Sequence, residues 1–279
     1  MNAIITLTTD FGLADAYVAA MKGMILTINP EARIVDICHH ISPQNVSQAA
    51  FVLNTAYQFF PERTVHVVVV DPGVGTGRRA IILRTPKFDF VAPDNGVLAC
   101  VIEPFLKERP RRDREQVKLP PELKAVSITE PEFWHSPVSA TFHGRDIFAP
   151  VAARLSLGTP PGKFGGVISA ITVLPEHRPY QEAADTLVGQ VAHIDHFGNL
   201  ITNFKSEDLP EEPFIVEVSS RLISELSRTY AEGEGLLALV GSSGYLEIAV
   251  KGGSARDLLG AAVGDEVKIR RENRQVGRF

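Results

Sequence analysis

Cysteine is almost absent from this chain of 279 residues: Cys38 and Cys100 are the only two, and neither belongs to a C-x-x-C pair. That excludes a disulfide-stapled scaffold and suits a reducing cytoplasm. Long apolar runs are also absent. No stretch approaches the roughly 18 consecutive apolar residues of a membrane helix, so no membrane partner is expected. Positive charge is in deficit, with a formal net charge of −5 and a pI near 5.9. A nucleic-acid footprint is therefore not expected. The short clusters Arg111-Arg112-Asp113-Arg114 and Arg270-Arg271 read as solvated faces. The opening residues, Met1 to Asp10, carry no basic stretch and only a short apolar one, and read as a first strand. Internal repeats and low-complexity segments are missing.

What is present is an ordinary globular composition, 44% hydrophobic and 22% charged, long enough for two domains with their own cores. The first half alternates strand and helix patterns. After the opening strand, Asp15 is placed to cap a helix carrying Val18, Met21 and Ile25 on one face, followed by a strand over 32–37. A second helix is predicted from Asn45 to Phe60, with Val46, Ala50, Leu53, Tyr57 and Phe60 on one face and Asn45 with Gln48 as a capping box. Strands follow around Val67, Ala80 to Leu83, Phe90 and Val126, with a proline-rich charged excursion over 104–121 and a helix from Arg145 to Leu157. Repeated β-α-β order implies an α/β fold with a layered, Rossmann-like and mostly parallel sheet. Composition changes after Pro160-Pro161-Gly162. Short strand patterns over 187–194, 200–203, 214–218, 236–240, 245–250 and 267–270 then suggest a small antiparallel β-barrel. The expected division is a Rossmann-like domain over 1–170, a linker over 171–184 and a barrel domain over 185–279.

The most informative stretch runs from Val67 to Arg79. Val67-Val68-Val69-Val70 reads as a strand buried on both faces, delivering Asp71 to its end as the turn Gly73-Val74-Gly75-Thr76-Gly77 begins. The glycines admit an anion-binding reading, but the Walker Gly-Lys-Ser/Thr ending is missing and the spacing is not that of a dinucleotide loop. What remains is a carboxylate followed by Arg78 and Arg79 on a tight backbone, which also reads as a strand-capping ion pair. Asp10 is a second strand-end carboxylate, and it faces the same crevice as Asp71 if the two strands are neighbours. His39, His40, His143, His193, Asp195 and His196 offer ligand chemistry for a metal hydrolase, yet H-E-x-x-H is missing and adjacent histidines in a strand point to opposite faces. The plain reading of His143 is a helix-start residue, and of Phe197 and Tyr245, barrel core.

Taken together, the clusters resemble the S-adenosylmethionine (SAM) hydroxide adenosyltransferase family, the adenosine-forming SAM hydrolases related to fluorinase and chlorinase. The residues carrying the resemblance are Thr9-Asp10-Phe11-Gly12, Asp36-Ile37-Cys38-His39 with Pro43, Val70 to Thr76 with Arg78-Arg79, Ala92-Pro93-Asp94-Asn95-Gly96, Thr141 to Asp146, Asp195 to Asn199, and Ser242 to Leu246. They span nearly the whole chain in order.

The resemblance implies a homotrimer with each site between neighbouring subunits, and SAM as substrate, with adenosine and L-methionine as products and no cofactor or metal. It places the catalytic set on Asp71, Arg78 and His143, with Arg79 less closely matched to the family spacing. Asp71 and His143 would share the attacking water, and which of them takes its proton stays open. Asp10, with Phe11 beside it, resembles the ribose-diol grip, and Phe197 and Asn199 resemble adenosine contacts. Asp195 corresponds to a partner for the methionine ammonium and Ser242 and Ser243 to partners for its carboxylate, with Tyr245, Glu247 and the Val250 backbone completing the pocket. Halogenating relatives lack the carboxylate-arginine arrangement of the Asp71 turn and have a serine where Gly144 stands, so water rather than halide is the expected nucleophile; Gln44 stands where the fluorinase has an aromatic ring, so no stacking is expected there. A SAM- or adenosine-binding sensor with negligible turnover is the alternative.

Overall fold

Residues 4–106, 115–174 and 179–271 are described by the computed structural model. The cluster Arg111 to Arg114 and part of the charged excursion lie outside them. The chain divides into two units, Met1–Pro175 and Glu176–Phe279.

In chain order, the first unit holds β1 (Ile4–Thr9), α1 (Tyr17–Ile28), β2 (Arg33–Cys38), α2 (Val46–Ala56), β3 (Val65–Val69), β4 (Ala80–Arg84), β5 (Asp89–Pro93), α3 (Ala99–Ile102), β6 (Glu115–Lys118), β7 (Lys124–Ser127), α4 (Ala149–Ser156), β8 (Val167–Ile168) and β9 (Ala170–Val173). The valine run fixes the centre. Val65, Val67 and Val69 pack on one face with Met21, Ile25 and Val151, while Val68 and Val70 pack on the other with Val46, Leu53 and Val101. A strand with no solvent face needs helices on both sides, so α1 and α4 cover one face and α2 and α3 the other.

The sheet order is β2-β1-β3-β5-β4-β7-β8. The first four strands are mutually parallel, as the β-α-β pattern implies. The β4, β7 and β8 additions are antiparallel. Because β1 pairs with β3, with Thr9 opposite Val69, the loops that begin at Asp10 and Asp71 leave the same sheet edge side by side.

Local differences from expectation have local causes. Helix α1 starts at Tyr17 with Ala16 at its cap and no side-chain cap bond, so Asp15 does not perform that task. Only half of the capping box forms at α2. Asn45 accepts from the Gln48 N–H at 2.9 Å, but the Gln48 side chain turns to the Ser42 N–H at 2.7 Å. The helix expected from Arg145 opens with a π-helical turn, Gly144–Phe148, before α4.

The second unit holds β10 (Tyr180–Ala183), β11 (Thr186–Ile194), β12 (Leu200–Lys205), β13 (Phe214–Val218), β14 (Arg221–Ile223), β15 (Leu236–Val240), β16 (Tyr245–Val250), α5 (Ala255–Leu259) and β17 (Glu266–Arg271). Its sheet runs β14-β13-β17-β11-β12-β16-β15 with every named pair antiparallel. Just past β14, Leu226 bridges to Ala238 of β15, which nearly closes the sheet into a barrel. Its core includes Val191, Leu200, Phe204, Leu246 and Ile248.

One buried titratable group stands apart from the loops at the strand ends. His66, on β3, is fully buried, bonded through Nδ1 to Thr6 Oγ1 at 2.8 Å and boxed by Tyr57, Phe60, Phe88 and Phe90. Burial holds its pKa down at about 3, against 6.5 for the ordinary group. The folded chain therefore refuses a proton that the unfolded chain accepts, so this contribution to stability is intact above about pH 6.5 and is lost as pH falls toward 3. Each unit crossed in that window costs up to ~1.4 kcal/mol. His66→Phe should flatten the pH dependence of urea-unfolding stability between pH ~6.5 and ~3; an unchanged slope would refute the assignment.

Candidate active site

The Asp71 turn is built by its own backbone. The Val74 N–H returns to the Asp71 carbonyl at 3.2 Å, and Thr76 places both its N–H and its hydroxyl on the Gly73 carbonyl, at 3.1 and 2.6 Å. Two of the turn's N–H groups are thus spent on the turn rather than offered to an anion. The fold brings the chain back at Arg78 and Arg79, whose side chains diverge as the extended backbone enters β4.

Arg78 grips Asp71 with Nε at 2.8 and 2.9 Å from the two carboxylate oxygens, while Nη2 also bonds Oδ2. The same Nη2 lies 3.0 Å from His143 Nδ1. Its guanidinium sits over the Phe148 ring, 5.2 Å from the centroid. The Asp71 and Arg78 side chains are only 5% and 12% exposed, so this pair works in a poorly screened setting. Arg79 goes elsewhere. It bonds Asp94 through Nε at 2.8 Å and through Nη2, and reaches Gln116 and the Ala170 carbonyl at 3.0 and 3.1 Å. Asp94 also accepts the Thr172 N–H at 2.6 Å. Arg79 is therefore a tie between strands and takes no part in the Asp71 cluster.

His143 stands at the start of the π-helical turn. The turn is anchored by Asp146, fully buried, which accepts the Ser139 N–H at 2.8 Å and Arg145 Nε at 2.6 Å. Burial alone would raise the Asp146 carboxyl, but the Arg145 and Ser139 hydrogen bonds outweigh it and hold its pKa down. Burial, then the Arg78 charge, lowers the His143 pKa, against smaller opposing pulls from Asp71 and Asp146. An arginine only donates, so Nδ1 is the accepting nitrogen and the neutral ring carries its proton on Nε2. Gly144 is packed against Met21, Phe142 and Phe11. Phe11, Tyr17 and Phe142 form a mutual edge-on and tilted group with centroids 5.1 to 5.7 Å apart.

Asp10 emerges at the end of β1, its Oδ2 accepting the Gln44 N–H at 2.7 Å. Asp10 is thus partnered apart from Asp71 and His143, which share Arg78, and among the described residues no group of three or more His, Cys, Asp or Glu side chains is gathered as a metal would require. A cavity of about 960 Å³ lined by Ile4, Arg33, Arg63 and Lys87 lies at the opposite ends of the strands, away from these groups. It is not the candidate site, because the chemistry-bearing side chains stand at the carboxyl ends.

In the second unit, Asp195 closes a turn on itself. Its Oδ1 accepts the N–H groups of Phe197 and Asn199 at 2.8 and 2.9 Å, and Oδ2 accepts Asn199 Nδ2 at 2.9 Å. This orders Asn199, which is buried, and thrusts Phe197 outward, 74% exposed. Phe197 is therefore not barrel core. Glu247, 5% exposed, receives the Tyr230 hydroxyl at 2.6 Å. Burial raises the Glu247 pKa and the Asp195 charge adds to it, against the Tyr230 hydrogen bond. The Tyr230 hydroxyl is pushed up to about 12 by burial and by Glu247. Ser242 and Ser243 are exposed in the turn between β15 and β16, Tyr245 opens β16 and Val250 closes it, its carbonyl accepting the Gly253 N–H at 3.1 Å.

Comparison with known proteins assigns the chain. The family model described as SAM hydroxide adenosyltransferase N-terminal domain matches residues 5–165, and that of the C-terminal domain matches 189–268. The chain belongs to the SAM hydroxide adenosyltransferase family. It is 39% identical to the (R)-S-adenosyl-L-methionine hydrolase of Salinispora tropica, covering 95% of this chain and 97% of that one. A solved structure of a conserved protein from Thermotoga maritima aligns with a TM-score of 0.84 at 37% identity, over 96% of this chain and all of the other. The fluorinase of Nocardia brasiliensis stands further off, at 30% identity over 88% of this chain and 89% of its own.

The structure adds Tyr230 and Ser139, which no motif contained, and gives supporting tasks to Asp146 and His39, which the motifs quoted without a role. Tyr230 partners Glu247, Asp146 and Ser139 hold the His143 turn, and His39 sits behind Asp10. Tyr230 lies in an irregular segment with no periodic signal, so only the fold brings it to Glu247. Gly75, with φ +75°, is another such support: a Cβ there would collide with the Ala140 carbonyl oxygen, two residues from Phe142. Gly75→Ala should cost roughly 1–3 kcal/mol of stability and move the His143 imidazole resonance in NMR. A variant of unchanged stability and unchanged His143 titration would contradict this coupling of the two loops.

Proposed function

We propose that this chain hydrolyses (R)-S-adenosyl-L-methionine to adenosine and L-methionine by attack of water on ribose C5′. The observation that carries the reading is the Arg78-centred pairing of Asp71 with His143, in a chain homologous over its full length to hydrolases named for this substrate. The sulfonium makes methionine a leaving group that needs no protonation. The catalytic task is therefore to align one water and draw off its proton.

Arg78 decides how the two acceptors divide that task. It occupies His143 Nδ1, so the imidazole faces the substrate side with a donating Nε2–H and orients the water oxygen. Asp71 Oδ2 takes both Nε and Nη2 of Arg78, whereas Oδ1 takes only Nε and keeps a second lone pair, and through it Asp71 accepts the proton. The O–C5′ bond forms as the C5′–S bond breaks, its electron pair going to sulfur, which becomes a neutral thioether. The guanidinium steadies the charge that shifts between carboxylate and water. Asp10 would hold the ribose diol, Phe11, Phe197 and Asn199 the adenosine, and Asp195, Ser242 and Ser243 the methionine end, with Tyr245, Glu247 and the Val250 backbone completing the pocket. Absence of a resident cofactor or metal follows from the leaving group, which requires no Lewis acid. The assembly proposed is a homotrimer in which a neighbouring subunit completes each site, working in the cytoplasm, where the two free cysteines stay reduced.

Product identification by mass spectrometry after incubation with SAM tests the reading: adenosine and methionine are expected, with ¹⁸O from labelled water on the adenosine 5′-hydroxyl. Recovery of intact SAM would leave a binding protein instead. Asp71→Asn should lower kcat by about 100-fold or more with a smaller change in KM. The depressed His143 pKa places the acid limb of kcat below pH 6.5, since the protonated ring would force Arg78 away from Nδ1. Removing the Asp71 charge, which pulls that pKa up, should shift the residual limb lower still; a shift to higher pH would overturn the electrostatic account. Exhaustive chelation should leave turnover unchanged, and activity restored by one specific metal would overturn the metal-free chemistry.

A further inference from the structure

His39 is a buried histidine that the reaction just described does not use. Its ring is 3% exposed and joins two elements. Nδ1 lies 2.8 Å from Thr9 Oγ1, and Nε2 lies 3.0 Å from Asp36 Oδ1. Asp36 in turn receives Lys22 Nζ from α1 at 2.6 Å. The direction of the chain is fixed by donor chemistry. Nε2 meets Asp36 as a close contact rather than an aligned hydrogen bond; the carboxylate's charge there favours the proton on Nε2, which leaves Nδ1 to accept from the Thr9 hydroxyl. The hydroxyl oxygen then accepts the Phe11 N–H at 3.3 Å. The backbone of His39 acts in parallel, its carbonyl taking the Gly12 N–H at 2.7 Å.

These bonds close on both sides of one residue. Thr9 precedes Asp10, and Phe11 and Gly12 follow it. The Asp10 carboxylate is itself aimed by the Gln44 N–H on Oδ2, from a residue held at φ +64°, while Oδ1 has no partner among the described residues. A surface pair such as Lys22 with Asp36 contributes little alone. Its significance here is that it orients an imidazole whose other nitrogen is fully desolvated.

We propose that His39, oriented by Asp36 and acting through Thr9, is a positioning residue that holds Asp10 in the geometry for gripping a vicinal diol. The proposal rests on the reading of Asp10 as the ribose contact, and predicts that the loss falls on diol recognition rather than on chemistry. Calorimetric titration with adenosine and with 2′,3′-dideoxyadenosine separates the two, since the second lacks the diol.

The wild-type protein should prefer adenosine, and Asp10→Ala should abolish the preference. His39→Leu should weaken adenosine binding by roughly tenfold, leave dideoxyadenosine binding unchanged, and raise KM for SAM with kcat nearly intact. Thr9→Val, which removes only the hydroxyl, should do the same and covers the case in which His39→Leu does not fold. His39→Asn keeps a polar group at the Nδ1 position and should restore much of the preference. If Asp10→Ala loses the preference while Thr9→Val and His39→Leu retain it, or if they weaken both ligands equally, the positioning role is wrong although the ribose reading stands. If the wild-type protein shows no preference while cleaving SAM, the assignment of Asp10 fails and the positioning role fails with it.

Discussion

One guanidinium shared between a carboxylate and an imidazole is the constraint on which the first unit's site depends. Arg78 bonds Asp71 through two nitrogens and His143 through one. A cation placed there performs two opposed electrostatic tasks. It stabilises a nearly buried carboxylate that would otherwise be costly to keep charged, and it opposes charge on the imidazole. The cluster is thereby held as one anion, one cation and one neutral ring. The supporting structure serves this arrangement: the glycine turn returns Arg78 over Asp71, the Phe148 ring underlies the guanidinium, and Asp146 fixes the turn from which His143 projects.

The second unit solves a different problem, presenting an aromatic ring and polar groups from a barrel rim. Asp195 spends its hydrogen bonds on its own turn, so Phe197 and Asn199 are oriented before any ligand arrives. Such ordering reduces the entropy lost on binding. It also leaves Asp195 with little open hydrogen-bonding capacity, so that its charge, more than its lone pairs, reaches the surrounding groups. Glu247, which accepts the Tyr230 hydroxyl, is raised first by burial with the Asp195 charge adding to it, a condition that a nearby positive charge opposes.

Much of the fold was legible because the signals were periodic. The valine run announced a doubly covered strand, the apolar spacing in α1 and α2 gave their buried faces, and most barrel strands stood out by alternation. The antiparallel addition of β7 and β8 was not legible, since β7 pairs with β4 and β8 with β7 across long stretches of sequence, while the short β4–β5 hairpin interrupts the β-α-β pattern from which a parallel sheet was expected. For the site, strand-end position picked out Asp10 and Asp71, and the family resemblance supplied Arg78 and His143. Spacing alone could not separate Arg78 from Arg79; their different partners, Asp71 and Asp94, do. Tyr230 and His39 act through hydrogen bonds to Glu247 and Thr9, brought near by folding, and a linear pattern carries no trace of those bonds; Asp146 bonds its near neighbours Arg145 and Ser139, but only its burial shows that it anchors the turn.

The two adjacent arginines give the Asp71 turn a reading frame. Because consecutive side chains on an extended backbone point to opposite sides, Arg78 meets Asp71 while Arg79 meets Asp94. That parity is set by the register of β4, which begins at Ala80 opposite Pro93, and not by the count of residues back to Asp71. A change of length within 73–77 is therefore absorbed in the turn, whereas a one-residue slip of β4 against β5 would offer each arginine to the other's carboxylate.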